Sequence, residues 1–347
     1  MQTASFNNSS KLHLLKTSII KKFSISFLLV LLTIPFQLEA QNENDHELTL
    51  YVMPTLQPLN WESPSTLYKS MRSCLIKTIA RSDNYLLGHV AVKLKSTLLS
   101  KPILIAQTSG KLSEKLNLLF KEKVGFSLLG LPITGRLETE KELEHNLRVY
   151  RKREKLAFIR YQISELAAQR IIKFIDEYSS KDARGNAACE FYGGAFWPRY
   201  YGEGAGCSTF GAALLDINNL LGNETDIWKL ELKIPMHLIG GEVNNGRKIK
   251  IRDIKKTDSW FTGAGIANQD YAEYKVYEPS IMFDWILNKR ETNDSVFIPI
   301  EENTIPGLLV KAKDIKVNEN EELFHSRTKP NLFIDHFKKK FNLSSNK

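Results

Sequence analysis

Gly202-Glu203-Gly204-Ala205-Gly206-Cys207-Ser208-Thr209-Phe210-Gly211-Ala212-Ala213-Leu214-Leu215 reads as a glycine-rich approach to a cysteine that opens a helix. Phe210, Leu214, Leu215, Ile217 and Leu221 carry helix-like apolar spacing, and Gly222 is a natural C-terminal stop. At a helix start the unpaired backbone N–H groups and the positive end of the helix dipole favour a thiolate, the nucleophilic form of cysteine. Glycines ahead of it, Gly206 above all, let a substrate carbonyl approach the main chain, as an oxyanion site requires. The plain alternative is a small thiol packed at a crowded helix end. A base elsewhere in the chain has to decide between them.

Working back from Cys207, Asn84 to Leu94 reads as a strand with His89 within it, and Ile103-Leu104-Ile105-Ala106 as a second apolar run ending in Gln107-Thr108-Ser109-Gly110. A hairpin centred near residues 97–99 sets residue 89 across from about residue 107. His89 is thereby the candidate general base and Gln107 the side chain that would orient it. His237 is a competing base, nearer to Cys207 in sequence, but it follows a strand (227–235) that Pro235 ends. The aromatic loop between residues 179 and 206 offers Trp197 and Tyr201 to a substrate, with Arg199 and Glu203 as charged contacts; packing of this loop onto the core is the alternative.

The chain of 347 residues is 42% apolar, enough for a sizeable core. Residues 1–40 read as a secretory signal peptide: Lys11, Lys16, Lys21 and Lys22 precede a mostly apolar run of 14 residues, Phe23 to Phe36, and Ala40 offers a cleavage site. Such a run is short of the roughly 20 residues that span a bilayer. The expected localisation is therefore exported: periplasmic, outer-membrane-associated or secreted. Without residues 1–40 the chain holds 44 basic and 38 acidic residues, a mildly basic balance of +6. Lys338, Lys339, Lys340 and Lys347 belong to a basic tail over 330–347, where contact with a membrane surface or an anionic polymer is open. No nucleic-acid-binding motif is present, no two histidines lie within a helical turn and no CxxC occurs, so neither a nucleic-acid partner nor a metal or other cofactor is expected.

Three cysteines in an oxidising compartment leave one thiol over after a single disulfide. Cys74 and Cys189 are expected to be paired, or both buried, with Cys207 free. Strands are further expected at 47–53 and 156–162, and helices at 67–81, from Ser164 to about Tyr178, and after Pro279. Residues 110–136 read as loops with one short helix or strand, and the charged run 137–155 as a solvated connection or exposed helix.

A histidine strand, a polar strand end and, much later, Gly206-Cys207-Ser208-Thr209-Phe210 opening a helix resemble the circularly permuted NlpC-like branch of the papain-fold thiol hydrolases. The resemblance covers about residues 47–222 and implies an α+β fold, with an antiparallel sheet packed against the nucleophile helix. It also implies a cysteine hydrolase in which Cys207 is the nucleophile, His89 the base and Gln107 the orienting residue. Residues 223–329 would elaborate the same domain, giving a single domain over 41–329. The expected activity is cleavage of an amide or peptide bond in the cell envelope. Still open are a thiol acyltransferase or lipid-directed hydrolase, with a lipid as the substrate partner, and a secreted binding protein without catalysis.

Overall fold

The computed structural model describes residues 45–80, 85, 87–110 and 112–340; the expected signal peptide and Lys347 lie outside these residues. In chain order the elements that frame the site are β1 (His46–Met53), α1 (Pro64–Ala80), β2 (His89–Ser96), β3 (Ile103–Ile105), β4 (Gln107–Ser109), α2 (Leu112–Leu116), β5 (Ile133–Leu137), α3 (Glu140–Lys152), β6 (Ala157–Gln162), α4 (Glu165–Ser179) and β7 (Phe191–Tyr192). They are followed by α5 (Cys207–Asp216), β8 (Lys229–Pro235), α6 (Ile251–Lys255), β9 (Tyr271–Tyr277), α7 (Pro279–Arg290), β10 (Ile298–Glu302), β11 (Ile305–Lys311) and α8 (Leu332–Lys340). The fold class is α+β, as expected.

The central sheet has six strands in the order β10-β11-β6-β1-β2-β3. It is mixed rather than antiparallel throughout, because β11 runs parallel to β6. Within residues 223–329, β10 and β11 extend the central sheet beyond β6, while β8 and β9 pair in a sheet of their own. Side chains alternate along a strand, and β1 uses both faces: Leu48, Leu50 and Val52 enter the main core, while Tyr51 and Met53 enter a second cluster on the other side. A strand buried on both faces needs helices on both. α4, α5 and α7 cover the first face, and α3 with Leu143 and Tyr150 covers the second.

α5 is the most enclosed helix of the fold: every residue from Cys207 to Leu215 is buried. At about 1.5–3 kcal/mol for each large apolar side chain taken from water, Phe210, Leu214 and Leu215 fix this helix against the sheet. It ends earlier than the periodicity suggests, with Ile217 as its C-cap, because the chain tightens into turns through Leu220. The basic tail over 330–347 carries structure in its described part. This part forms α8, which buries Phe333, Ile334 and Phe337, and Lys338 and Lys340 lie near Glu203 and Glu242 respectively.

Candidate active site

Three elements deliver the site. Gly206 is the N-cap of α5, and its N–H donates to Thr209 Oγ1 at 2.8 Å, which places Cys207 on the first turn. His89 is the first residue of β2. Gly88 before it holds φ +72°, and a Cβ there would come within 2.8 Å of Met53 O and 2.9 Å of Pro279 Cβ, so glycine suits both the turn and the close packing. The third element is the end of β5, from which Glu138 follows.

His89 is 2% exposed, and its Nε2 lies 2.6 Å from Glu138 Oε2. That leaves Nδ1 for Cys207, with which the imidazole hydrogen-bonds. Glu138 Oε1 accepts from Tyr85 Oη at 2.7 Å, and Tyr85 Oη accepts from Asn146 Nδ2 at 2.6 Å. The Tyr85 ring also stacks on the imidazole, with 3.8 Å between centroids and 9° between planes. Asn146, Tyr85, Glu138, His89 and Cys207 thus form one buried chain, whose members fix each other's orientation.

Electrostatics follow from this chain. Burial pushes the His89 imidazolium down, but the Cys207 thiolate and the contacts with Cys207 and Glu138 outweigh it and raise the ring to about 9. Burial pushes the Cys207 thiol up; the His89 charge and hydrogen bond, the Val90 N–H and the Tyr192 hydroxyl outweigh that and hold it below its ordinary value. Each group thus shifts the other towards its charged form, the direction of a thiolate facing an imidazolium. The Tyr192 hydroxyl also meets the Cys207 main-chain N–H, the donor an oxyanion would use. Lys115, whose Nζ sits 5.4 Å from the Tyr192 ring centroid, is held below its usual value by burial, against the opposing pull of the thiolate.

Gln107 is not the orienting residue. β3 pairs with β2 only as far as Val92 and Ile105; the chain then leaves that sheet, and Gln107 pairs with Leu137 in a second one. Its buried side chain donates instead to the carbonyls of Cys189 (2.8 Å) and Phe191 (3.3 Å). The same pairing carries β5 one residue further: Glu138 N donates to Ala106 O at 2.9 Å, which brings the carboxylate to the place the hairpin reading gave to Gln107. Thr139 and Glu142 form a capping box that starts α3 at Glu140, so Glu138 belongs to the strand end and not to the charged helix. That box, Thr139-Glu140-Lys141-Glu142, was the sequence signal that separates Glu138 from its solvated neighbours.

Other expected site residues have structural work. His237 is exposed and bonds Thr257. Trp197 stacks on Tyr277 and Tyr201 packs against Phe324, so both belong to the core side of the loop; only Gly206 of the three expected substrate residues lines the cleft. Arg199 is tied to Asp216 and Glu321, and Glu203 to Arg327, which together anchor the C-terminal segment to the loop. Cys74 and Cys189 are not joined in a disulfide, and only Cys74 of the two is fully buried. Cys74 is buried on α1, while Cys189 packs at the edge of the main core, where burial raises its thiol.

The site floors a cleft of about 460 Å³ whose walls are mainly apolar, with Trp61, Met71, Leu119, Phe126 and Leu129 among them. Tyr192 and Tyr274 line it near Cys207, with Glu278 beside Tyr274. Glu278 Oε2 accepts from Ile281 N–H at 2.7 Å, Oε1 is buried without a partner, and burial raises the carboxyl to about 7. The arrangement has a nucleophile, a base that hydrogen-bonds it, a carboxylate that orients the base and a donor beside the nucleophile, which are the parts of covalent acyl transfer. Compared with family models, curated proteins and solved structures, the chain finds no match.

Proposed function

We propose that the protein is a cysteine hydrolase that cleaves an acyl bond through Cys207, His89 and Glu138. The observation that carries this reading is the buried chain from Glu138 through His89 to Cys207, which the Tyr85 hydroxyl holds at its carboxylate end. The Cys207 thiolate attacks the substrate carbonyl carbon, and the C=O electron pair moves onto oxygen. The Cys207 N–H and the Tyr192 hydroxyl hold that oxyanion. His89 gives its Nδ1 proton to the leaving nitrogen or oxygen as the tetrahedral intermediate collapses to a thioester. Water, losing a proton to His89, then attacks the thioester, releases the acid and returns Cys207 to thiolate.

The order of histidine strand, carboxylate and cysteine helix supports reading the fold as the permuted NlpC-like arrangement. The lysine-preceded apolar run at 23–36 supports an exported enzyme. An amide or peptide bond of the cell envelope is the first substrate class; the apolar cleft favours the second, an acyl ester or amide bearing a long hydrocarbon chain, with water or another acceptor. The test is hydrolysis of peptide anilides and of p-nitrophenyl esters from acetate to decanoate by the full chain. Turnover lost in Cys207→Ala and His89→Ala is expected. Turnover that survives Cys207→Ala, or none with any substrate alongside a thiol inert to alkylation, contradicts the reading and leaves a binding protein.

A further inference from the structure

The mouth of the cleft is built unlike the rest of the surface. Four large hydrophobic residues lining it are exposed: Ile76 by 57%, Phe120 by 60%, Ile251 by 48%, and Leu87 less so. They come from separate segments, α1, the π-helical turn Asn117–Glu122, α6 and the approach to β2, and meet only because these pack around one opening. Scattered apolar residues need no explanation, but a cluster around a cavity that is itself apolar does.

Charge in the segments that carry these residues is mostly positive. The segments 64–80, 112–123 and 247–256 contain twelve basic residues against three acidic ones. Arg72 and Lys123 line the mouth itself, and Lys255 Nζ lies 5.8 Å from the Tyr68 ring centroid, where α6 meets α1. The three acids are engaged locally: Glu114 accepts from Thr134 N–H, Glu122 from Asn117, and Asp253 lies 3.5 Å from Arg252. Apolar tips inside a belt of lysine and arginine suit a surface that is hydrocarbon beneath anionic headgroups, because the tips leave water while the cations stay among phosphates. A protein partner would need matching acidic and apolar patches at fixed positions, whereas a bilayer supplies both everywhere.

We propose that the cleft mouth docks on an anionic phospholipid bilayer and admits an acyl chain of one of its lipids. The apolar walls then lead that chain inward, and the ester at its head lies towards Cys207. This last step rests on the hydrolase reading above; the docking does not.

The test is co-sedimentation of the full chain with vesicles of phosphatidylglycerol and phosphatidylcholine, and of phosphatidylcholine alone, at low and high salt. The proposal expects binding to the anionic vesicles that weakens with salt, and at least a tenfold loss of partitioning in the double variant Ile76→Ser/Phe120→Ser. Val296→Ser, an exposed hydrophobic away from the cleft, serves as the surface control and should bind as the wild type does. Cys207→Ala should dock as the native chain does, and docking of the native chain with no hydrolysis of the vesicle lipids overturns a lipid substrate while the docking stands. No binding to anionic vesicles, or equal binding by the double variant, overturns the docking. So does a self-association that the double variant abolishes in the absence of lipid binding, which would assign the face to a second copy of the chain.

Discussion

Replacing Glu138 by Gln keeps the size of the side chain and removes the charge that faces His89 Nε2. In the native chain Asn146 donates to Tyr85, and Tyr85 donates to Glu138 Oε1, so Oε2 is left to face the imidazole. In the variant the carbonyl oxygen of Gln must take the Tyr85 donor, because the Tyr85 oxygen already accepts from Asn146. The amide NH₂ then faces Nε2 and forces that nitrogen to accept, which moves the ring proton to Nδ1 and opposes the imidazolium. A hydrogen bond to a charged group contributes about 1.5–3 kcal/mol, so the thiolate–imidazolium pair should lose about one to two orders of magnitude in population. The assay is the rate of Cys207 alkylation by iodoacetamide against pH. A lower rate at neutral pH, with the alkaline rise of the profile moved towards that of an ordinary thiol, is expected. A profile superimposable on wild type would reduce Glu138 to a buried structural carboxylate with no hold on the ion pair.

Two other variants separate the roles assigned above. Gln107→Ala strands the Cys189 and Phe191 carbonyls that it bridges and should cost about 1–3 kcal/mol in denaturant unfolding, yet leave the alkylation profile of Cys207 unmoved; a shifted profile with unchanged stability would restore it as an orienting residue. Glu278 keeps a proton in the folded protein up to about 7 that the unfolded chain releases from about 4.5, so its contribution to stability is present below 4.5 and lost as pH rises to about 7. That loss is worth about 3 kcal/mol, and Glu278→Gln should flatten the stability profile over this window; parallel profiles for both proteins would show that another group carries the slope.

Cys207 and His89 were legible in sequence because each carries a local mark: glycines and a helix start for one, a glycine turn into a strand for the other. The orienting residue was not, because it depends on where one sheet stops and another begins. The β2–β3 register would set residue 89 near residue 107 only if β3 continued, and the chain instead changes sheets after Ala106. No local pattern announces that change, and the charge density around Glu138 hides a carboxylate that is buried on the strand side of a capping box. Trp197 and Tyr201 were misplaced for a related reason: an aromatic loop beside a nucleophile has two faces, and here Tyr192 turns to the cleft while the later aromatics pack inward. Counting thiols carries no geometry, and Cys74 and Cys189 are neither paired nor both buried.

The proposed chemistry depends on His89 and Cys207 standing as an ion pair at neutral pH. Nitrogen NMR of histidine-labelled protein reads the ring directly. His89 should carry protons on both nitrogens at pH 7, lose one near pH 9, and titrate at lower pH in Cys207→Ala, where the thiolate no longer holds the charge. A neutral His89 ring at pH 7, or a titration that Cys207→Ala leaves in place, would contradict the ion pair.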